Sequence, residues 1–452
     1  MSSILDTEDN KMNNTNKIVI TASVIIIFVL TVAIIAFMYL SVKDGKKKKI
    51  NNTIEENQTI QEENDFVEEQ PVSNEKVVDD SSKILNKMYG KIEIVWLDKS
   101  NNMINHPLKP ALGDELTPVK YNSNNSQFKS TFENDSDWYD YSNSKWANAI
   151  DEKGSYFVWI PRYAYKITYY SDGNFNRKIG YSDSRGILAI NDDGSLTRIE
   201  KNNEGLKSVG NHYIVHPAFM KDLASGYQNG GWNKDISGFW MSKYEINNEE
   251  DSICSKPCKT AYRNVSIVDA YDKAYNYNRN MESHLTKNSE WGAAAYLSYS
   301  NMGTDAVGVE INNSNGYLTG GSKSENEVYN VMKTTSTTRN STGIYDMVGC
   351  SSEYVSACLE TPQINTNTKY RTIMSKTSNL LFRGNAMIET SENEDGSNSW
   401  NKNSSYFVRE ELPYLIRGGN FASIGTAGLF DYNCTDGNAN VAQSFRVILV
   451  NK

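Results

Sequence analysis

An α+β domain behind a single membrane-spanning helix is the architecture this sequence predicts. Three observations predict it. Residues 18–42 form an uncharged, apolar run near the N-terminus. Beyond residue 83, short apolar–polar alternations recur, and only two segments carry helical periodicity. The connections between them in the C-terminal half are long and rich in Asn, Ser and Gly, so strands and helices do not alternate as βαβ units would. The 452 residues divide into a tail (1–17), a transmembrane helix (18–42), a Lys-rich flank with an acidic linker (43–82), a small β-rich extension (83–150) and a main domain (151–452).

The run "IVITASVIIIFVLTVAIIAFMYLSV" has 25 residues, about 37 Å as a helix against the roughly 30 Å of hydrocarbon to be crossed. No lipobox cysteine follows it, so it reads as a retained single-pass helix. Its flanks pull two ways. Lys43 and Lys46 to Lys49 favour keeping the C-terminal part in the cytoplasm, whereas an anchor, an acidic spacer and a large domain in that order is the build of a surface protein. An extracytoplasmic C-terminal domain is the expectation carried forward, with the membrane as one partner.

The net charge of −9 is not spread over the chain: residues 51–82 hold ten acids and one base, so the remainder sums to zero. Residues 51–82 are therefore expected to be a self-repelling, disordered spacer. The rest carries no net basic footprint, and no nucleic-acid partner is expected. Five cysteines are too few for a disulfide scaffold. Of the four histidines, His106, His212, His216 and His284, the pair in "HYIVH" can share a strand face; ordinary packing is the preferred reading, and no metal site is assigned.

The elements follow in order. "KIEIVWL" (91–97) alternates as a strand, and "DWYDYSNSKWANAI" (137–150) suggests a small aromatic β element. "SYFVWIPRYAYKI" (155–167) reads as a long strand broken at Pro161, and "GFWMSKYEI" (238–246) as another strand. Ile267, Ala270, Tyr271, Ala274, Tyr275 and Met281 recur at helical spacing. In "LTKNSEWGAAAYLS", Thr286 is placed to cap a helix carrying Trp291, Ala294, Ala295 and Leu297.

Five words in this order resemble the formylglycine-generating enzyme (sulfatase-modifying factor) family. They are "FWMSKYE" (239–245), "EWGAAAY" (290–296), "GIYDMVGCSSEY" (343–354), "IRGGNF" (416–421) and "SFRVIL" (444–449). The resemblance covers about 155–450 and implies a C-type-lectin-like fold. It casts Trp291, Tyr345 and Met347 as core anchors, and Glu353 and Arg446 as structural ion-pair partners. Gly418 and Gly419 are read as positions where a side chain would be excluded. The family's copper-binding cysteine pair falls on Ser423 and Gly428, which supply no thiolate, and Cys350 stands where the family has Asn. The resemblance is therefore to a scaffold without the oxidase chemistry. No cofactor is expected. Lectin-like folds admit Ca2+, but no compact Asp/Glu loop assigns it residues.

Other catalytic patterns fail too. "GYLTGGSKS" (316–324) has Ser322 where a phosphate loop needs lysine, and no Gly-x-Ser-x-Gly elbow occurs. "CSKPC" places Cys254 and Cys258 four apart around Pro257, either as a small disulfide loop or as two thiols.

The segment "RGGNFASIGTAGLFDYNCTDGNANVAQSFR" (417–446) remains. Its glycines and apolar residues can hold a frame while Ser423, Thr426, Tyr432, Asn433, Thr435, Asp436, Asn438, Asn440 and Gln443 face outward, a vocabulary of adaptable recognition. It is similar to the variable C-terminal segment of retroelement-diversified lectin-fold proteins, in which adenine-directed mutation of Asn codons yields these residue types. An Asn- and Ser-rich chain, as in "YNSNNSQ" or "NKNSS", yields them without diversification, and both origins stay open. The functional expectation is a membrane-anchored, surface-exposed protein binding a protein or glycan ligand through those nine residues. The alternatives are an enzyme of unrecognised chemistry or a structural, adhesive surface protein.

Overall fold

The computed structural model describes residues 90–168, 187–199, 212–221, 232–250, 252–359, 372–374, 403–404 and 406–451, all within one compact unit, Val77–Lys452. The tail, the expected transmembrane run at 18–42 and the acidic linker lie outside the described residues. Among the described residues, no helix is long and apolar enough to cross a membrane. The expectation of a single-pass membrane protein is corrected accordingly: nothing in the described fold supports it.

The α+β expectation is corrected as well, because strands dominate. Among the described residues there are twenty strands against three α-helices of 9, 12 and 6 residues. The excess of strands comes from polar stretches that looked like connections, such as Thr117–Asn122, Gln127–Ser130 and Leu196–Ile199. Their cross-strand partners, not their own alternation, fix them as strands.

Three larger sheets organise the fold. The first has six strands in the order Met103–Ile104, Lys91–Leu97, Tyr163–Thr168, Tyr213–Val215, Ile187–Ile190, Leu196–Ile199. The second has seven, in the order His284–Leu285, Val447–Leu449, Gly238–Ser242, Tyr156–Pro161, Asn148–Ile150, Thr117–Asn122, Gln127–Ser130. The third runs Thr372–Met374, Ser352–Leu359, Tyr414–Gly418, Gly428–Thr435, with Gln443–Phe445 parallel to Ser352–Leu359. Lys91–Leu97 pairs with Tyr163–Thr168, and Asn148–Ile150 pairs with Tyr156–Pro161, so the stretch read as an extension shares sheets with the main domain.

The break at Pro161 has a clear use. Tyr156–Pro161 is an inner strand of the second sheet and Tyr163–Thr168 an inner strand of the first, with buried Arg162 at the corner. Its guanidinium donates to the Phe219 carbonyl at 2.6 Å and pairs with Asp235 at 3.0 Å. Proline at the strand end removes a ladder donor where pairing stops.

Both expected helices form, with altered ends. Ile267–Tyr275 is capped by Ser266, whose hydroxyl accepts from Asp269 N at 3.1 Å. It stops at Tyr275, and Met281 lies in a separate 3-10 turn, Arg279–Met281. Asn288–Tyr299 is buried on all sides, as its Ala-rich, uniformly apolar centre requires. Thr286 does not cap it. The Glu290 carboxylate reaches back to Lys287 N at 2.8 Å, and the Thr286 hydroxyl instead donates to the Arg446 carbonyl at 3.3 Å.

Candidate functional site

The C-terminal segment is bolted down at both ends. Arg417, buried, donates from Nε to the Asp431 carbonyl at 2.7 Å and from Nη1 to Asn288 Oδ1 at 2.7 Å. Arg446 donates from Nε to both Glu353 oxygens at 2.8 Å and from Nη1 to the Ser242 carbonyl at 2.9 Å. The expected ion pair is thus buried and structural. It sits beside Glu245 and Asp346, and burial lifts the carboxyls of this cluster while the single guanidinium pulls them down. Trp291, Tyr345 and Met347 are fully buried, as core anchors should be.

Gly418 turns the chain with φ +83°, and a Cβ there would meet the Met347 carbonyl at 2.7 Å. Ser423, at the first of the two positions matched to copper-binding cysteines, has its hydroxyl accepting from Asn420 N at 3.2 Å. A Cβ at Gly428, the second, would collide with the Asn403 amide at 2.2 Å. Among the described residues, no three His, Cys, Asp or Glu side chains converge at metal-binding spacing. His216 packs among Tyr163, Tyr165, Phe219 and Tyr296. Cys254 and Cys258 are free thiols.

Between the bolts, period-two alternation sorts the strand Gly428–Thr435 into two faces. Phe430 and Tyr432 point into the core, while Asp431 and Asn433 line a groove of about 210 Å3. Ser423 and Thr426 from the preceding turn, Asn440 from the following loop and Gln443 at the head of the strand Gln443–Phe445 complete it. Five of the nine expected display residues therefore meet at one groove. The other four do not. Tyr432 is 2% exposed on the opposite face, and Thr435 is buried against Gln443, its hydroxyl 3.5 Å from the amide oxygen. Asp436 and Asn438 are exposed but turn on each other, Asn438 Nδ2 donating to Asp436 Oδ2 at 2.8 Å.

The frame of the groove is hydrogen-bonded within itself. Ala427 N donates to the Ser423 carbonyl at 2.9 Å, Ala422 N to Asn420 Oδ1 at 2.9 Å and Ala442 N to Asn440 Oδ1 at 2.8 Å. These bonds fix both loops before any ligand arrives.

Asp431, Ser352, Ser404 and Asn420, outside the nine expected residues, also line the groove. Asp431 was legible by counting back two from Asn433. Ser352 arrives only because Ser352–Leu359 pairs with Gln443–Phe445, 91 positions away in the Ser352–Gln443 register. Asp431 is the one carboxyl in the lining, and burial pushes its pKa up to about 8 against the opposing pull of Arg417 and of N–H donors from Gly419 and Ser404. At neutral pH the floor of the groove is therefore mostly an uncharged acid.

No family model matches the chain, so none supports the formylglycine-generating enzyme resemblance, and no curated relative matches it either. Among solved structures, the "Major Tropism Determinant U1 Variant" is similar at 11% identity and TM-score 0.24, over 79% of this chain and 99% of that one. The I1 variant is similar at 10% identity and TM-score 0.25, over 79% and 99%, respectively. Scores of this size do not establish a shared fold.

Proposed function

We propose that this protein binds a ligand in the Asp431 groove and does not catalyse a reaction there. The observation that supports this reading is the gathering of Ser423, Thr426, Asn433, Asn440 and Gln443, from a turn, two strands and a loop, around one groove on a hydrogen-bonded frame. Amides and hydroxyls donate and accept alike, so the lining suits a neutral polar surface, whether of a protein or of a glycan. Asp431 is the one titratable side chain among the described lining residues, and it is buried and accepts from the Gly419 and Ser404 N–H groups, a structural use of the carboxyl. Thr435 and Tyr432 serve the frame, and Asp436 with Asn438 closes the adjoining turn.

The test is an array of purified glycans and surface proteins probed with the full-length protein and with the Asn433→Ala/Asn440→Ala double variant. The expected result is a ligand whose affinity falls at least about tenfold in the variant, with a cooperative thermal transition lowered by the loss of the Ala442 N–Asn440 Oδ1 bond, about 1 kcal/mol. Ligands retained at full strength by the variant would place binding elsewhere.

A further inference from the structure

A second groove, of about 310 Å3, shares no lining residue with the first. It reaches the lower end of the roughly 300–1,000 Å3 usual for small-molecule sites. Strands Thr117–Asn122, Gln127–Ser130 and Asn148–Ile150, the 137–146 segment and the 340–342 loop build it. Tyr121 and Phe128, half-buried with ring centroids 5.7 Å apart and backed by Tyr329, form an aromatic wall, and the buried indoles of Trp138 and Trp146 also line the groove.

The groove is preformed. Trp146 N donates to Thr342 Oγ1 at 3.0 Å, Asn148 Nδ2 to the Thr342 carbonyl at 2.8 Å and Asn340 Nδ2 to the Ser144 carbonyl at 2.9 Å. From beneath, the fully buried Lys243 donates from Nζ to Asn148 Oδ1 at 2.8 Å and to the carbonyls of Ser341 and Gly343, both at 2.7 Å. Burial alone pulls the Lys243 pKa down. Three oxygen acceptors nevertheless need three N–H donors, and a neutral amine has two, so the ammonium is the form that fits. Among the described residues no carboxylate pairs with it; these oxygens and the rings of Phe128 and Tyr345, 5.1 and 5.3 Å from Nζ, offset its charge, and its effect is to lock both walls of the groove in place.

The rim decides the ligand class. Lys120 pairs with Asp135 at 2.5 Å and Lys145 with Asp137 at 2.7 Å. Each ammonium keeps further protons for a ligand. A purely apolar ligand would strip water from these pairs without replacing it. An anion drawn to Lys145 would meet Asp137 beside it. A hydroxyl group can accept from the ammonium and donate to the carboxylate at once. We propose that this groove binds a saccharide residue, its apolar face against Phe128 and Tyr121 and its hydroxyls bonded to Lys120, Lys145, Asp137 and Asn143.

Saturation-transfer NMR on the full-length protein, with glucose, galactose, mannose and N-acetylglucosamine at millimolar concentration, tests this. At least one sugar is expected to receive saturation, with affinity about tenfold lower in Phe128→Ala and unchanged in Asn433→Ala/Asn440→Ala. Should Phe128→Ala not fold, Lys145→Met and Asp137→Asn repeat the test at side chains that are 42% and 62% exposed and carry no core packing. No saturation of any of the four sugars by the wild-type protein would overturn the proposal. So would saturation that the groove variants leave intact. Loss in Asn433→Ala/Asn440→Ala would instead move the sugar to the Asp431 groove.

Discussion

The two faces of the strand Gly428–Thr435 make opposite demands on neighbouring residues. Tyr432 is 2% exposed and packed in the core, whereas Asn433, one position on, is half-exposed at the groove. The difference is one of backbone pleat, not of residue vocabulary, since both residue types belong to recognition loops. Composition can nominate a display segment, but only the register against Tyr414–Gly418, where Tyr432 faces Arg417 and Asn433 faces Ile416, says which members are displayed.

The comparison is broken most severely from the core side. Arg446→Met removes, among the described residues, the one guanidinium beside Glu353, Glu245 and Asp346, and takes from Glu353 the cation that meets both its oxygens. A loss of about 3–5 kcal/mol is expected, read as a lower urea midpoint or outright failure to fold. Tyr432→Ala should cost about 3 kcal/mol by opening a cavity, whereas Asn433→Ala should change stability by no more than about 0.5 kcal/mol. Equal destabilisation by these two neighbours would mean that the pleat does not separate core from groove. Gly418→Ala comes next. Its φ of +83° and the 2.7 Å approach to the Met347 carbonyl predict a loss of about 1–3 kcal/mol, measurable by thermal denaturation.

What the sequence made legible follows the same division. Lys91–Leu97 has the bounds its alternation implies, because it is half-buried with one clear inner face. The Arg446–Glu353 pair was visible as charges set in apolar words. The apolar run at 18–42 falls outside the described residues, and the α+β class failed because sheet partners, invisible locally, recruit polar stretches such as Gln127–Ser130. The Asp431 groove was half legible, since most of its residues fall within one segment. The second groove was not. Phe128, Lys145 and Thr342 come from three distant stretches, and no spacing rule joins them.

The contrast between the two faces is sharpened most by Asp431. Its folded pKa of about 8 lies well above the ordinary 3.8 because the carboxyl is buried. The folded state therefore holds a proton that the unfolded state has already released, and between pH about 4 and about 8 stability must fall as pH rises. The contribution is fully present below the unfolded pKa and is lost on passing through the folded one. Asp431→Asn keeps the shape and removes the titration, so its urea midpoint should fall less steeply than that of the wild type over this range. The buried cluster around Arg446 titrates in both proteins and cancels in the difference. Parallel profiles for wild type and Asp431→Asn would mean that Asp431 is ionised in the folded protein. The groove would then present a charge, and a ligand carrying positive charge, not a neutral one, would be the partner to seek.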